Sequence, residues 1–160
     1  MDSSDLQVLR TAVDWLEAGH RVILVTVAET WGSAPRQPGA WALVRDDGAL
    51  IGSVSGGCIE DDLVQRMRTG KFTNNRPVDV VSYGVTREEA ARLGLPCGGT
   101  LRLVIENAPG LEQMQHLLQR TQMGHITART LDLASGQVTL TDATSKDALA
   151  WDSQRLTTLH

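Results

Sequence analysis

The run Val22–Ala28, "VILVTVA", constrains the fold of this chain more than any other stretch. A continuous apolar and β-branched run of strand length, with no alternation, reads as a strand that must be covered on both faces. It is far too short to span a membrane. Its neighbours supply the cover. Before it, "DLQVLRTAVDWLEAG" sets Leu6, Leu9, Val13 and Leu16 on one helical stripe, with Gly19 placed as the C-cap. After it, "WALVRDDGALIGSVS" has two strand-like arms around Asp46, Asp47 and Gly48, a strong hairpin signal. "IEDDLVQRMRTG" then begins acidic, ends with Arg66 and Arg68 and stops at Gly70, the charge order a helix dipole favours.

Further on, "PVDVVSYGV" reads as a strand. "TREEAARLG" reads as a third helix, entered by a capping box of Thr86 and Glu89 and closed by Gly94. "TLRLVIE" alternates as a strand, a fourth helix follows Pro109, and "HITARTLDLASGQVTL" reads as a hairpin turning at Ser135 and Gly136. The expectation is an α/β fold: a mixed sheet with β-hairpins, flanked by about four helices. Residues 1–144 form the expected domain. Residues 145–160 are polar and weakly patterned, a closing helix or the start of a linker.

Composition narrows the function classes. With 160 residues, 41% hydrophobic and 21% charged, one domain can bury a core unaided. A formal charge of −4 and the lack of any like-charge block give no attraction to nucleic acid or anionic lipid. The acidic start "MDSSD" lacks the basic region of a signal peptide, so a cytoplasmic address and reduced thiols are expected.

The two cysteines lie in similar settings. In "GSVSGGCIEDDLV", Gly56 and Gly57 let the backbone approach a ligand, and Cys58 stands at a helix start that favours a thiolate. In "LGLPCGGT", Cys97 precedes Gly98 and Gly99 just before a strand. Both cysteines are therefore expected at one cleft, with a lowered pKa for Cys58; the alternative is that each packs a tight turn. Glu60, Asp61 and Asp62 read as dipole-matching residues rather than metal ligands. A zinc site is disfavoured, because His20, His116, His125 and His160 are scattered and read as surface residues. A third loop, "ETWGSAPRQPGA", follows the buried strand. Arg36 suits phosphate, Ser33 can donate to it and Trp31 can stack on a heterocycle; the alternative is a solvated arginine and a core tryptophan. Neither a Walker motif nor a GxGxxG fingerprint is present.

Together "VTVAETWGSAPRQPGAWALV", "GALIGSVSGGCIEDDLV" and "YGVTREEAARLGLPCGGTLRLVIE" resemble the N-terminal domain of XdhC/CoxI proteins, accessory factors of molybdenum hydroxylases such as xanthine, aldehyde or CO dehydrogenase. The resemblance runs from about Val22 to Glu106. It implies a non-enzymatic maturation factor that binds molybdenum cofactor, as molybdopterin or its cytosine dinucleotide form. Such a factor supports sulfuration by a cysteine desulfurase and delivers the cargo to an apo-hydroxylase. It points to Cys58, Cys97, Gly56, Gly57, Gly98, Gly99, Arg36 and Ser33 as cofactor-binding, with both cysteines as candidate molybdenum thiolates. Family members carry a second, Rossmann-like domain, for which this sequence has no Gly-Ala-Gly signature; a homodimer is left open. Two rival readings stand beside it: a sulfurtransferase-type enzyme with a persulfide on Cys58 or Cys97, and an interaction domain with structural cysteines.

Overall fold

The structure is a computed structural model and describes residues 3–31, 36–55, 58–72, 75–84, 88, 100–144 and 146–160. Helix α1 (Ser3–Glu17) leads into strand β1 (Val22–Trp31), the hairpin β2 (Trp41–Arg45) and β3 (Leu50–Gly52), and helix α2 (Cys58–Arg68). Strands β4 (Val78–Tyr83) and β5 (Thr100–Glu106) follow, then helix α3 (Leu111–Gln122) and strands β6 (Thr127–Asp132), β7 (Val138–Asp142), β8 (Ala150–Trp151) and β9 (Arg155–Leu159). No described helix is long and apolar enough to cross a membrane.

Each helix ends as its sequence directs. Gly19, Gly70 and Gly124 adopt positive φ, and the residue after each donates its N–H back to Trp15, Arg66 and Arg120, the Schellman arrangement that satisfies the last carbonyls. The buried stripe of α1 is Val8, Leu9, Ala12 and Val13; Leu6 and Leu16 flank it half-buried. The predicted hairpins form at Asp46–Gly48 and at Ser135–Gly136, the second tightened by Asp132 Oδ1 accepting from the Ala134 and Ser135 N–H groups.

The strands form two sheets, β3-β2-β1-β5-β4 and β7-β6-β9-β8. Every pairing among the described residues is antiparallel, which corrects the expected mixed sheet. The physical reason lies in α2. It carries the chain from β3 at one edge to β4 at the other, so these two parallel strands never become neighbours and the strands between them alternate in direction. Three helices are described; the predicted helix Thr86–Gly94 falls almost wholly outside the described residues. The segment read as a closing helix or linker instead supplies β8 and β9, with β9 paired to β6.

β1 is central and buried from Val22 to Ala28, with cover on both faces. Ile23, Val25 and Val27 join Leu101, Leu103 and Ile105 beneath Ile59, Leu63 and Met67 of α2. Val22 and Leu24 join Trp41 and Leu43 beneath α1 and α3. The second sheet covers the rest of that face, where Leu131 and Leu156 meet Ala28 and Val104. Each such aliphatic side chain contributes about 1.5–3 kcal/mol when fully buried, so this two-sided packing fixes the sheet as a rigid base.

The junction of the two sheets holds a buried polar group. Arg129 donates two hydrogen bonds to Glu106, at 2.9 and 2.6 Å. His160 stacks on Trp41 with ring centroids 4.2 Å apart and its Nε2 lies 2.7 Å from Thr158 Oγ1. His160, expected at the surface, is only 5% exposed; His20, His116 and His125 are exposed as expected. The correction arises because the residue after β9 pairs with Thr127 and lays its ring on Trp41 of β2, a contact made by residues remote in sequence.

Candidate functional site

The register of the first sheet brings three loops to one end. Trp41 pairs with Thr26, Gly52 with Ala42, Thr100 with Trp31 and Leu101 with Tyr83. β1, β3 and β4 therefore finish, and β2 and β5 begin, at the same side. The chain leaves this end after Trp31, after Gly52 and after Gly84, and rejoins it at Trp41, Cys58 and Thr100. These are the three stretches that carried the resemblance. Loops at one end of a rigid sheet are a usual platform for binding.

The turn from β3 into α2 is the best defined part. Gly52 has φ +80°, and a Cβ there would lie 2.4 Å from the Trp41 carbonyl oxygen and 2.6 Å from Val8 Cγ2, so only glycine fits. Beyond it, Glu60 folds the chain back. Its Oε1 accepts from the Val54 N–H at 2.7 Å, the Ser55 N–H at 2.6 Å and Ser53 Oγ at 3.2 Å, while Oε2 accepts from Ser55 Oγ at 2.6 Å. Burial pushes this carboxyl up, but the Ser55 hydroxyl and the two backbone N–H groups outweigh it and hold it down at about 2. Glu60 is thus a loop organiser two residues from Cys58, a role the dipole-matching reading missed. The signal was present as a Glu at the third helical position after a Gly-rich turn, the place of a capping-box acid.

The other two acids differ. Asp61 is exposed. Asp62 Oδ2 accepts from Tyr83 Oη at 2.6 Å and pairs with Arg66 Nε at 2.9 Å, tying α2 to the end of β4. Among the described residues no three His, Cys, Asp or Glu side chains gather as a metal site. The expected metal thiolates are not tested by this. The Cys58 side chain, Cys97, Gly56, Gly57, Gly98, Gly99 and Ser33 lie outside the described residues, although Cys58 opens α2 as expected.

Arg36 is described. It lies with Asp5 on a cleft of about 280 Å³ that Gln37, Gly39 and Leu159 also line. Its Nη2 is 3.7 Å from Asp5 Oδ1, and the same oxygen accepts from the Trp41 N–H at 3.2 Å. The structure therefore sets Arg36 beside the start of α1, with a loose ion pair rather than a bidentate one.

Trp31 ends β1 and is 46% exposed, so it is not a core tryptophan. The Arg102 guanidinium carbon lies 5.1 Å from its ring centroid and 5.5 Å from that of Trp151. Arg102 Nε donates to Ser82 Oγ at 3.1 Å, and the Trp151 indole N–H donates to Glu29. Arg102 was detectable as a charge at an inner alternate position of "TLRLVIE"; nothing local pointed to Trp151.

The chain is 33% identical over 119 residues to PaoD, a molybdenum cofactor insertion chaperone of Escherichia coli (strain K12); the match covers 72% of this chain and 35% of that protein. It is 42% identical over 83 residues to a probable xanthine dehydrogenase subunit from Bacillus subtilis (strain 168), covering 52% of this chain and 24% of the relative. The chain thus spans about a third or less of the length of these relatives. A solved structure described as a xanthine dehydrogenase from Bacillus halodurans shares the fold with a TM-score of 0.70 at 19% identity, over 98% of this chain and 52% of the other. The family model for XdhC and CoxI matches residues 15–84, a span that encloses the Arg36 loop, the Glu60 turn and α2 and stops before Cys97. Residues 15–84 thus carry an XdhC and CoxI family domain.

Proposed function

We propose that this chain binds molybdenum cofactor at the loop end of its first sheet and passes it to an apo-molybdenum hydroxylase of the xanthine dehydrogenase type. The observation that carries the reading is the convergence of the three loop stems on one end of a sheet buried on both faces. The kinship with an insertion chaperone supports the same cargo. In this reading Arg36 and Ser33 take the anionic tail, as molybdopterin phosphate or cytosine dinucleotide diphosphate. Gly56, Gly57, Gly98 and Gly99 let the backbone approach, and Cys58 and Cys97 offer soft thiolates to molybdenum. The chain acts in the cytoplasm by binding and release rather than turnover, and a cysteine desulfurase sulfurates the cargo while it is held.

The test is to purify the full chain from a host that makes the cofactor and to assay molybdenum and pterin per chain. Near-stoichiometric pterin, lost in a host blocked in cofactor synthesis, is the expected result, with Arg36→Ala retaining less while its melting curve is unchanged. A chain that carries neither pterin nor molybdenum, and does not raise the activity of apo-hydroxylase, overturns the reading. A persulfide found on Cys58 or Cys97 without pterin would mark a sulfurtransferase instead.

A further inference from the structure

We propose that Trp31 is the stacking platform for the planar ring of the cargo, the pterin, with Arg102 and Trp151 as its mount. The inference rests on the cofactor-binding reading above and names the residue that recognises the ring.

Trp31 is placed where a ring would sit. It is the last residue of β1, and its register partner Thr100 is the residue at which the chain returns to the sheet after Cys97, Gly98 and Gly99. It also directly precedes Gly32–Arg36 in sequence. Two of the three loops therefore meet at this one strand pair. Thr100 is tied in turn to Gly84 by its Oγ1, which donates to the Gly84 carbonyl at 3.2 Å.

The indole is accessible and held at the same time. An exposed tryptophan on a loop would sample several rotamers and lose that freedom on binding. Here the ring stands on a strand with the Arg102 guanidinium 5.1 Å from its centroid. Arg102 is itself fixed by Ser82 Oγ and by Trp151, and Trp151 by its hydrogen bond to Glu29, the register partner of Arg102. Glu29, Trp31, Thr100, Arg102 and Ser82 share one face of the sheet, since direct antiparallel partners and alternate residues point the same way. A cation over a tryptophan face is attracted by the quadrupole of the ring, so two such contacts hold Arg102 while the Trp31 indole stays about half exposed. The ring stays 46% exposed, at the end of the sheet where the loops converge.

The chemistry selects a ligand class. An indole presents a broad π face, which suits a fused bicyclic heterocycle better than a single pyrimidine ring because the overlap is larger. The nearby Arg102 charge disfavours a cationic ring and leaves neutral rings with exocyclic carbonyl groups acceptable. A pterin meets both conditions, and Arg36, five residues along the chain, is the nearest described cation in sequence for an anionic tail.

The experiment is a titration of the full chain with free pterin, followed by quenching of indole emission, alongside the pterin retained after purification from a cofactor-producing host. Wild type is expected to show saturable quenching, Trp31→Ala to weaken binding by about tenfold, as losses of ring-stacking aromatics do, and Trp31→Phe to stay within about threefold. Trp15→Phe, whose ring lies beside Arg45 at the opposite end of β1, is expected to bind as wild type does. Thermal melts of all variants check that the exposed position leaves the fold intact. Equal titrations for wild type and Trp31→Ala overturn the platform, as does the absence of saturable quenching, or quenching by cytidine monophosphate in place of pterin. If wild type retains cofactor but Trp31→Ala retains as much, the stacking proposal falls and the carrier reading stands. If wild type retains none yet binds free pterin through Trp31, the carrier reading falls and the platform stands.

Discussion

The loop end of the first sheet and the junction between the two sheets each bury a carboxylate, and they satisfy it in different ways. At the junction, Glu106 receives both ends of the Arg129 fork, and Arg129 Nε has no acceptor among the described residues. A buried ion pair of this kind gains little over a well-packed apolar pair, because two charges must leave water to form it, yet removing one partner strands the other. At the loop end, two backbone N–H groups and two serine hydroxyls converge on Glu60. The first arrangement locks two sheets in register. The second orders the turn between β3 and α2, because a carboxylate fed by backbone donors fixes the backbone itself.

Breaking the junction should have the largest effect. Arg129→Met leaves Glu106 buried without its partner and is expected to destabilise the chain by about 4 kcal/mol in urea unfolding, whereas Arg129→Met with Glu106→Leu should recover most of that loss. A single variant as stable as wild type would show that water reaches the pair. Gly52→Ala comes next, at about 3 kcal/mol, because the residue would need positive φ and would collide with the Trp41 carbonyl. The loss should be smaller, about 1 kcal/mol, for Gly124→Ala, where φ is also positive but a Cβ meets nothing within 4 Å.

The pH dependence sharpens the comparison. Glu60 is held below its ordinary 4.5, at about 2. A depressed carboxyl contributes stability that is present above pH 4.5 and lost as pH falls toward 2. Glu60→Gln, which turns an acceptor into a donor among donors, should cost about 2 kcal/mol at neutral pH, and its stability should converge with wild type as the acid end is reached. His160 marks the other region. Burial, then the Arg129 charge, pushes it down from 6.5 to about 3. The folded state thus resists the proton that the unfolded chain takes up, so stability is intact above pH 6.5 and falls progressively toward pH 3. Between pH 7 and 5.5 the loss should be about 1 kcal/mol, and His160→Phe, which keeps a ring on Trp41, should flatten that slope. If Glu60→Gln rather than His160→Phe removes the slope near pH 6, the assignment of the two windows is wrong.

Local signals carried much of the secondary structure. Gly19, Gly70 and Asp46–Gly48 stop or turn the chain through their own backbone, and the β-branched run of β1 demands two-sided burial wherever it lies. Less of the candidate site was legible. The motif around Cys58 could be read as a helix start, but the identity of the residue that shapes it could not, since Glu60 acts through Val54 and Ser55 across a turn whose geometry depends on Gly52 meeting Trp41. Arg102 showed as a charge in an alternating strand. Its partners Trp31 and Trp151 come from opposite ends of the chain.

By itself, then, the sequence determined where the three described helices and the hairpins at Asp46–Gly48 and Ser135–Gly136 lie, that β1 lies inside, and which stretches carry the family pattern, because each depends on residues within a few positions of one another. Only the tertiary structure decided that the pairing is antiparallel throughout the described strands, that residues 150–159 are strands, that His160 is buried, and that three loop stems share one end of a sheet. Those outcomes follow from where α2 crosses from one sheet edge to the other and where β9 docks, and both are set by long-range packing that no local pattern records.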